Sequence, residues 1–64
     1  MNEALTKLAT VDPQAAQLAK LRYYAGFTID EAAEAIGISS RNADFLWKYA
    51  RTWLLKEMQD QHRG

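Results

Sequence analysis

The sequence predicts an all-α protein, a single domain of four helices that contains a helix-turn-helix. Three observations support this fold class. No stretch of alternating apolar and polar residues indicates a strand. Capping residues mark the starts of several helices, and a glycine turn joins the last two of them closely. With 64 residues, the chain is long enough for one small domain, residues 1–64.

The first two helices are predicted over residues 2–9 and 13–25. Leu5 and Leu8 in the first are three residues apart and therefore share a face. Asp12-Pro13 then supplies a capping aspartate followed by proline at the first helical position. The second helix is expected to run through Tyr24 or Ala25 and to end at Gly26.

The third helix is predicted over residues 29–36. Thr28 and Glu31 have the spacing of a capping box, in which each side chain bonds the other residue's amide. Gly37 suits the left-handed residue that commonly ends a helix.

The fourth helix is predicted over residues 40–60, with Ser39 as its cap. Only Gly37 and Ile38 separate this cap from the third helix. Such a short connection makes two helices cross, as in a helix-turn-helix. That motif places the first turns of its second helix against the major groove of DNA.

The fourth helix divides into an apolar and a polar side at about 100° per residue. The apolar side is predicted to be core and comprises Ala43, Leu46, Trp47, Ala50, Trp53 and Leu54. The opposite side carries Arg41, Asp44, Phe45, Lys48 and Thr52, with Asn42, Tyr49 and Arg51 on the flanks. The third helix contributes the small residues Ala32, Ala33 and Ala35 together with Ile36. The large rings of Trp47 and Tyr24 are therefore expected to fill the space beside it.

The formal net charge is zero, but the charges are unevenly distributed. Residues 39–56 carry four cations, Arg41, Lys48, Arg51 and Lys56, and one carboxylate, Asp44. Phosphate contacts from such cations supply most of the non-specific affinity of DNA-binding proteins. The concentration of positive charge on the fourth helix favours DNA contact.

Other function classes lack the residues they would need. The chain has no cysteine, and its single histidine, His62, lies in a polar tail that is expected to be solvated, so we expect no metal site and no cofactor. No constellation for acid–base or nucleophilic catalysis is present, so we expect no enzymatic activity. No apolar run approaches the roughly 20 residues of a membrane span, and we expect a cytoplasmic protein without membrane contact.

The chain resembles region 4 of bacterial sigma factors, particularly of the extracytoplasmic-function group. Four stretches that together extend over nearly the whole chain carry this resemblance. They are Asp12-Pro13, LRYYAGFT (21–28), DEAAEAIGIS (30–39) and ADFLWKYARTWL (43–54).

The resemblance implies a domain that binds the −35 promoter element with its fourth helix in the major groove. It also implies docking on the flap of the RNA polymerase β subunit and, as in some members, capture by an anti-sigma protein. The residues implied to face the bases are Arg41, Asn42, Asp44, Phe45 and Lys48.

Further positions match the family outside the base-reading set. Thr28 and Ser39 begin helices, where free amides favour an anion, so they are implied phosphate contacts as well as caps. Arg51 could reach the DNA backbone or pair with a carboxylate. Arg22 and Glu31 match positions expected to form an internal ion pair.

The chain departs from the family pattern in two respects. Asp44 and Phe45 stand where many members carry lysine or arginine, although a carboxylate can accept from cytosine N4 and a phenyl ring can contact a thymine methyl. Nothing corresponds to region 2, so we expect either an excised domain or a free-standing relative that does not initiate transcription alone.

An alternative interpretation is a protein-interaction module of the same fold with little DNA affinity. Phe45, Tyr49, Trp53 and Leu55 would form an apolar surface in this case. The partner would be a polymerase subunit, an anti-sigma factor or a second copy of the chain.

Overall fold

The computed structural model describes residues 2–62, with side chains described for residues 3–59. Over this range the chain forms four helices, α1 (Asn2–Val11), α2 (Pro13–Tyr23), α3 (Ile29–Ile36) and α4 (Ser40–His62). No strand occurs among these residues, and the all-α prediction is confirmed. None of the four is long and apolar enough to cross a bilayer. The expected solvated position of the His62 side chain lies outside the described side chains.

The starts of the helices follow the predicted capping residues. Asp12 Oδ1 accepts a hydrogen bond of 3.2 Å from Ala15 N at the start of α2. At the start of α3, Thr28 N donates to Glu31 Oε1 at 2.9 Å and Glu31 N donates to Thr28 Oγ1 at 3.2 Å. This reciprocal pair is the predicted capping box.

The turn between α3 and α4 is as short as predicted. Gly37 has φ +78°, the left-handed conformation, and its amide donates to Glu34 O at 3.3 Å. Ile38 N reaches back to Ala33 O at 3.0 Å. Ser39 Oγ then accepts from Asn42 N at 3.1 Å and caps α4. Sequence-local hydrogen bonds therefore define both sides of the helix-turn-helix connection.

The end of α2 differs from the predicted end at residue 25. The helix ends at Tyr23, and Tyr24 N makes the final helical hydrogen bond, to Lys20 O at 2.8 Å. The loop then folds back so that Phe27 N donates to Leu21 O at 3.0 Å. Gly26, with φ +70°, belongs to this loop rather than to the last helical turn.

Smaller differences affect the ends of α1 and α4. Helix α1 continues two residues past its predicted end, to Val11, and Asp12 N still donates to Leu8 O at 2.6 Å. Helix α4 extends two residues past its predicted end, to His62.

Alanine dominates the core of the described part of the chain. The buried hydrophobic residues are Ala4, Leu5, Leu8, Ala15, Ala16, Leu18, Ala19, Ala32, Ala33, Ala43, Ala50 and Leu54. Most of those in α1, α2 and α4 form one cluster, on which Leu46, Trp47 and Trp53 pack as partly buried side chains. The predicted apolar side of α4 is therefore confirmed as core. Because alanine is small, the helices can approach one another closely.

Two predicted contributions to the core are wrong. Ala35 is exposed, so Ala32 and Ala33 form the buried part of α3. Tyr24 is 59% exposed, and Tyr23 is the ring beside Trp47, with a centroid separation of 5.4 Å. Neighbouring positions on a helix differ by about 100°, so the choice between adjacent tyrosines decides which ring packs.

Candidate nucleic-acid interface

The N-termini of α3 and α4 are linked directly. Ser40 Oγ, in the first residue of α4, donates a hydrogen bond of 2.7 Å to Asp30 Oδ1 near the start of α3. This contact lies ten residues apart in sequence and next to the Ser39 cap. The first turn of α4 is therefore oriented by α3 as well as by its own cap.

A charged stripe follows the exposed side of α4. It consists of Arg41, Asp44, Lys48 and Arg51, all exposed. Their successive spacings of three, four and three residues place them along one line of the helix surface. Within the stripe, Lys48 Nζ lies 3.4 Å from Asp44 Oδ2. Four of the predicted DNA-binding residues therefore share one face.

Asn42 and Phe45, also predicted to face bases, lie beside this stripe at the edge of a groove. The groove has a volume of about 420 Å³ and lies between the start of α2 and the first half of α4. Its lining residues are Asp12, Gln14, Ile38, Asn42, Phe45, Leu46 and Tyr49. Phe45 is 66% exposed, an unusual position for a large apolar ring.

The remaining predicted contacts, Thr28 and Ser39, are both helix caps. The Thr28 amide is already bonded to the Glu31 carboxylate, and Asp30 adds a second negative charge in the same turn. Ser39 has no acidic residue in the first turn of its helix, which contains Arg41 instead. The Asp30 carboxylate also lies at the start of α4 through its bond to Ser40, so both helix starts carry negative charge, and only that of α4 has an arginine in its first turn.

The internal ion pair expected between Arg22 and Glu31 is wrong. Arg22 Nη1 donates instead to Phe27 O at 2.7 Å, and the guanidinium lies 5.0 Å from the Trp47 ring centroid. The Glu31 carboxylate belongs to the capping box. The sequence already indicated Thr28 as the partner of Glu31, because a glutamate three residues after a threonine cap is the pattern of a capping box.

The four residues of the alternative apolar surface do not form one patch. Phe45 and Tyr49 are one helical turn apart and both line the groove. Trp53 packs against the core. Leu55 is exposed but lies about 120° around α4 from Tyr49. Of these four residues, only Phe45 and Tyr49 therefore form a shared exposed surface, on the groove side.

A helix-turn-helix whose second helix carries exposed cations is typical of DNA-binding transcription proteins. The family model described as ECF sigma factor matches residues 1–60, and the chain belongs to this family. Its role is accordingly that of a sigma-factor-like protein in transcription, in a family of non-enzymatic regulators whose partners are RNA polymerase and promoter DNA. No curated protein and no solved structure shows a significant match to the chain.

Proposed function

We propose that this domain recognises a −35-type promoter element by placing the first half of α4 in the major groove. The charged stripe is the observation that carries the proposal. Three cations and one carboxylate project from exposed positions on the second helix of the motif. Helix-turn-helix proteins read base edges with this part of the helix.

Base contacts would come from Arg41, Asp44 and Lys48, with Asn42 and Phe45 at the neighbouring edge. These side chains lie in the first three turns of α4, and the Ser40–Asp30 hydrogen bond braces the first of them. A rigid first turn favours recognition because side chains must approach base edges within hydrogen-bond distance.

Phosphate contacts would come from Ser39 and Arg51, with Thr28 as a further candidate. Arg51 lies one turn beyond the base-reading residues and would reach the DNA backbone. Ser39 begins α4, where the helix dipole favours an anion. Because Glu31 already occupies the Thr28 amide, we expect Thr28 to contribute least.

Docking on the β-subunit flap of RNA polymerase would use the groove. Ile38, Leu46 and Tyr49 supply its apolar part, Asp12, Gln14 and Asn42 its polar part, and the exposed Phe45 borders it. Amphipathic partner helices bind in grooves that offer apolar anchoring positions beside polar ones. The groove adjoins the charged stripe, and Asn42 and Phe45 at their border would face either the bases or the flap.

DNA binding can be tested by fluorescence anisotropy of a labelled −35-like duplex over a series of salt concentrations. We expect Arg41→Ala, which removes a base contact, to weaken binding by about 1–3 kcal/mol, and Arg51→Ala, which removes a phosphate contact, to reduce the slope of log K against log salt concentration by about one. Lys20→Ala removes an exposed cation from α2 and serves as the matched control. Equal binding by the parent and Arg41→Ala would contradict the proposal for α4.

A second candidate function is protein interaction without appreciable DNA affinity. The groove, the 66% exposure of Phe45 and the net charge of zero favour it. Its partner would be a polymerase subunit, an anti-sigma factor or a second copy of the chain. Phe45→Asp should then abolish binding of a flap fragment or anti-sigma protein, or dissociate a dimer in analytical ultracentrifugation. A monomer that binds DNA and is indifferent to this substitution would rule it out.

A further inference from the structure

Asp44 is the one carboxylate in the charged stripe of α4. It lies three residues after Arg41 and four before Lys48, with its side chain 55% exposed. It caps no helix, because Ser39 caps α4. A negative charge at this place weakens attraction to phosphates. Neither the core nor a helix end accounts for Asp44, and its exposed carboxylate faces whatever the stripe binds.

The partner of Asp44 in the structure is Lys48. The Nζ–Oδ2 distance is 3.4 Å, and the Lys48 side chain is 70% exposed. Exposed ion pairs at this helical spacing are weak, because water competes for both charges. Either group can therefore exchange its partner for a ligand at little cost. Before binding, the pair presents a hydrogen-bond acceptor and a donor side by side.

A donor next to an acceptor is also what a base pair presents in the major groove. In a G·C pair, the cytosine N4 amine adjoins the guanine O6 and N7 acceptors. In an A·T pair, the adenine N6 amine has acceptors on both sides, N7 and thymine O4. A carboxylate at that amine would be repelled from both sides. The Asp44–Lys48 pair therefore matches a G·C edge better than an A·T edge.

We propose that Asp44 and Lys48 act together to read a single G·C base pair. Asp44 would accept from cytosine N4, and Lys48 would donate to guanine O6 and N7. This assignment rests on the proposed function, since it requires α4 to lie in the major groove. It adds the identity of one base pair and gives the carboxylate a role in selectivity.

The test is selection of the 64-residue protein on a randomised duplex library, followed by affinity measurements on single-base-pair variants of the selected site. We expect one position where G·C binds about tenfold more tightly than A·T, within the range of one good base contact. Asp44→Asn should move the preference at that position towards A·T, because an amide pairs with adenine N6 and N7. Lys48→Met should weaken the guanine preference at the same position.

Two controls test general electrostatics and minor-groove contact in turn. Glu34→Gln removes an exposed carboxylate from α3 and should leave the selected sequence unchanged. Inosine in place of the critical guanine keeps O6 and N7 and loses the minor-groove amine, so binding should persist. Circular dichroism of each variant checks that the helices remain folded.

The outcomes distinguish this assignment from the function on which it rests. If the parent selects a sequence but Asp44→Asn selects the same one, α4 binds DNA and the assignment is wrong. Changes by Asp44→Asn and Lys48→Met at two different base pairs would also overturn it. If the folded parent selects no sequence and binds no duplex at low salt, the proposed function itself fails.

Discussion

The guanidinium of Arg22 lies 5.0 Å from the ring centroid of Trp47, while its Nη1 donates to Phe27 O at 2.7 Å. One side chain of α2 therefore holds both the loop before α3 and the middle of α4. The Nε of Arg22 is buried without a hydrogen-bond partner. The Phe27 carbonyl and the face of the Trp47 ring therefore offset the cost of removing this cation from water. Arg22 links the two helices of the helix-turn-helix to the rest of the domain.

We expect Arg22→Ala to lower the free energy of unfolding by about 2 kcal/mol, from the lost charged hydrogen bond and the lost cation–π contact. Arg22→Lys keeps the charge but lacks the planar group that reaches both partners, so its loss should be intermediate. Urea unfolding measures both. The exposed Lys20→Ala should stay within about 0.5 kcal/mol of the parent. An equal effect of Arg22→Ala and Lys20→Ala would argue against this role.

Trp47→Ala should be among the most destabilising single substitutions. The ring packs on the core cluster and contacts both Tyr23 and Arg22. Because it is only partly buried, we expect a loss of about 3 kcal/mol, the lower end of the range for aromatic truncation. Thermal unfolding followed by circular dichroism gives the value. Phe45→Ala is the matched control, because the Phe45 ring is largely exposed. An unchanged melting temperature for Trp47→Ala would show that the Trp47 ring is dispensable for stability.

Gly37→Ala tests backbone conformation without steric contact. A Cβ added at Gly37 would meet no atom within 4 Å, yet φ is +78°. The left-handed conformation costs a residue with a Cβ about 1 kcal/mol, and we expect this loss in chemical denaturation. Gly37→Asn should lose less, because asparagine tolerates this region. A larger loss for asparagine than for alanine would exclude the conformational explanation.

Ser39→Ala should remove the hydrogen bond to Asn42 N and cost about 1 kcal/mol, the usual value of an N-cap. Ser39→Gly should cost only a few tenths of a kcal/mol, because glycine leaves the amide of Asn42 open to water. The comparison is made by urea unfolding of both variants. If Ser39→Ala is as stable as the parent, the Ser39 hydroxyl contributes nothing to α4.

The features predicted best from the sequence are those set by hydrogen bonds between near neighbours. The caps at Asp12, Thr28 and Ser39 and the turn at Gly37 involve side chains and amides within a few residues. Such bonds form wherever the spacing is right, so the spacing predicts them. The apolar side of α4 followed equally well from helical periodicity.

The features missed depend on how the helices are arranged in space. The end of α2 is set by a loop that closes onto Leu21 and by Arg22, not by the position of Gly26 alone. The Ser40–Asp30 hydrogen bond and the groove arise only when α3, α2 and α4 are assembled.

The alanine-rich core also determines how the domain responds to temperature. Burying a methyl group removes little apolar surface from water, and the heat capacity of unfolding scales with that surface. The free energy of unfolding should therefore change only gradually with temperature and reach a modest maximum. A partner at one hundred times its dissociation constant adds about 2.7 kcal/mol, which in a domain of this size raises the melting temperature by more than about 10 °C. The fraction of the domain that stays folded at high temperature therefore depends on how much of it is bound to a partner.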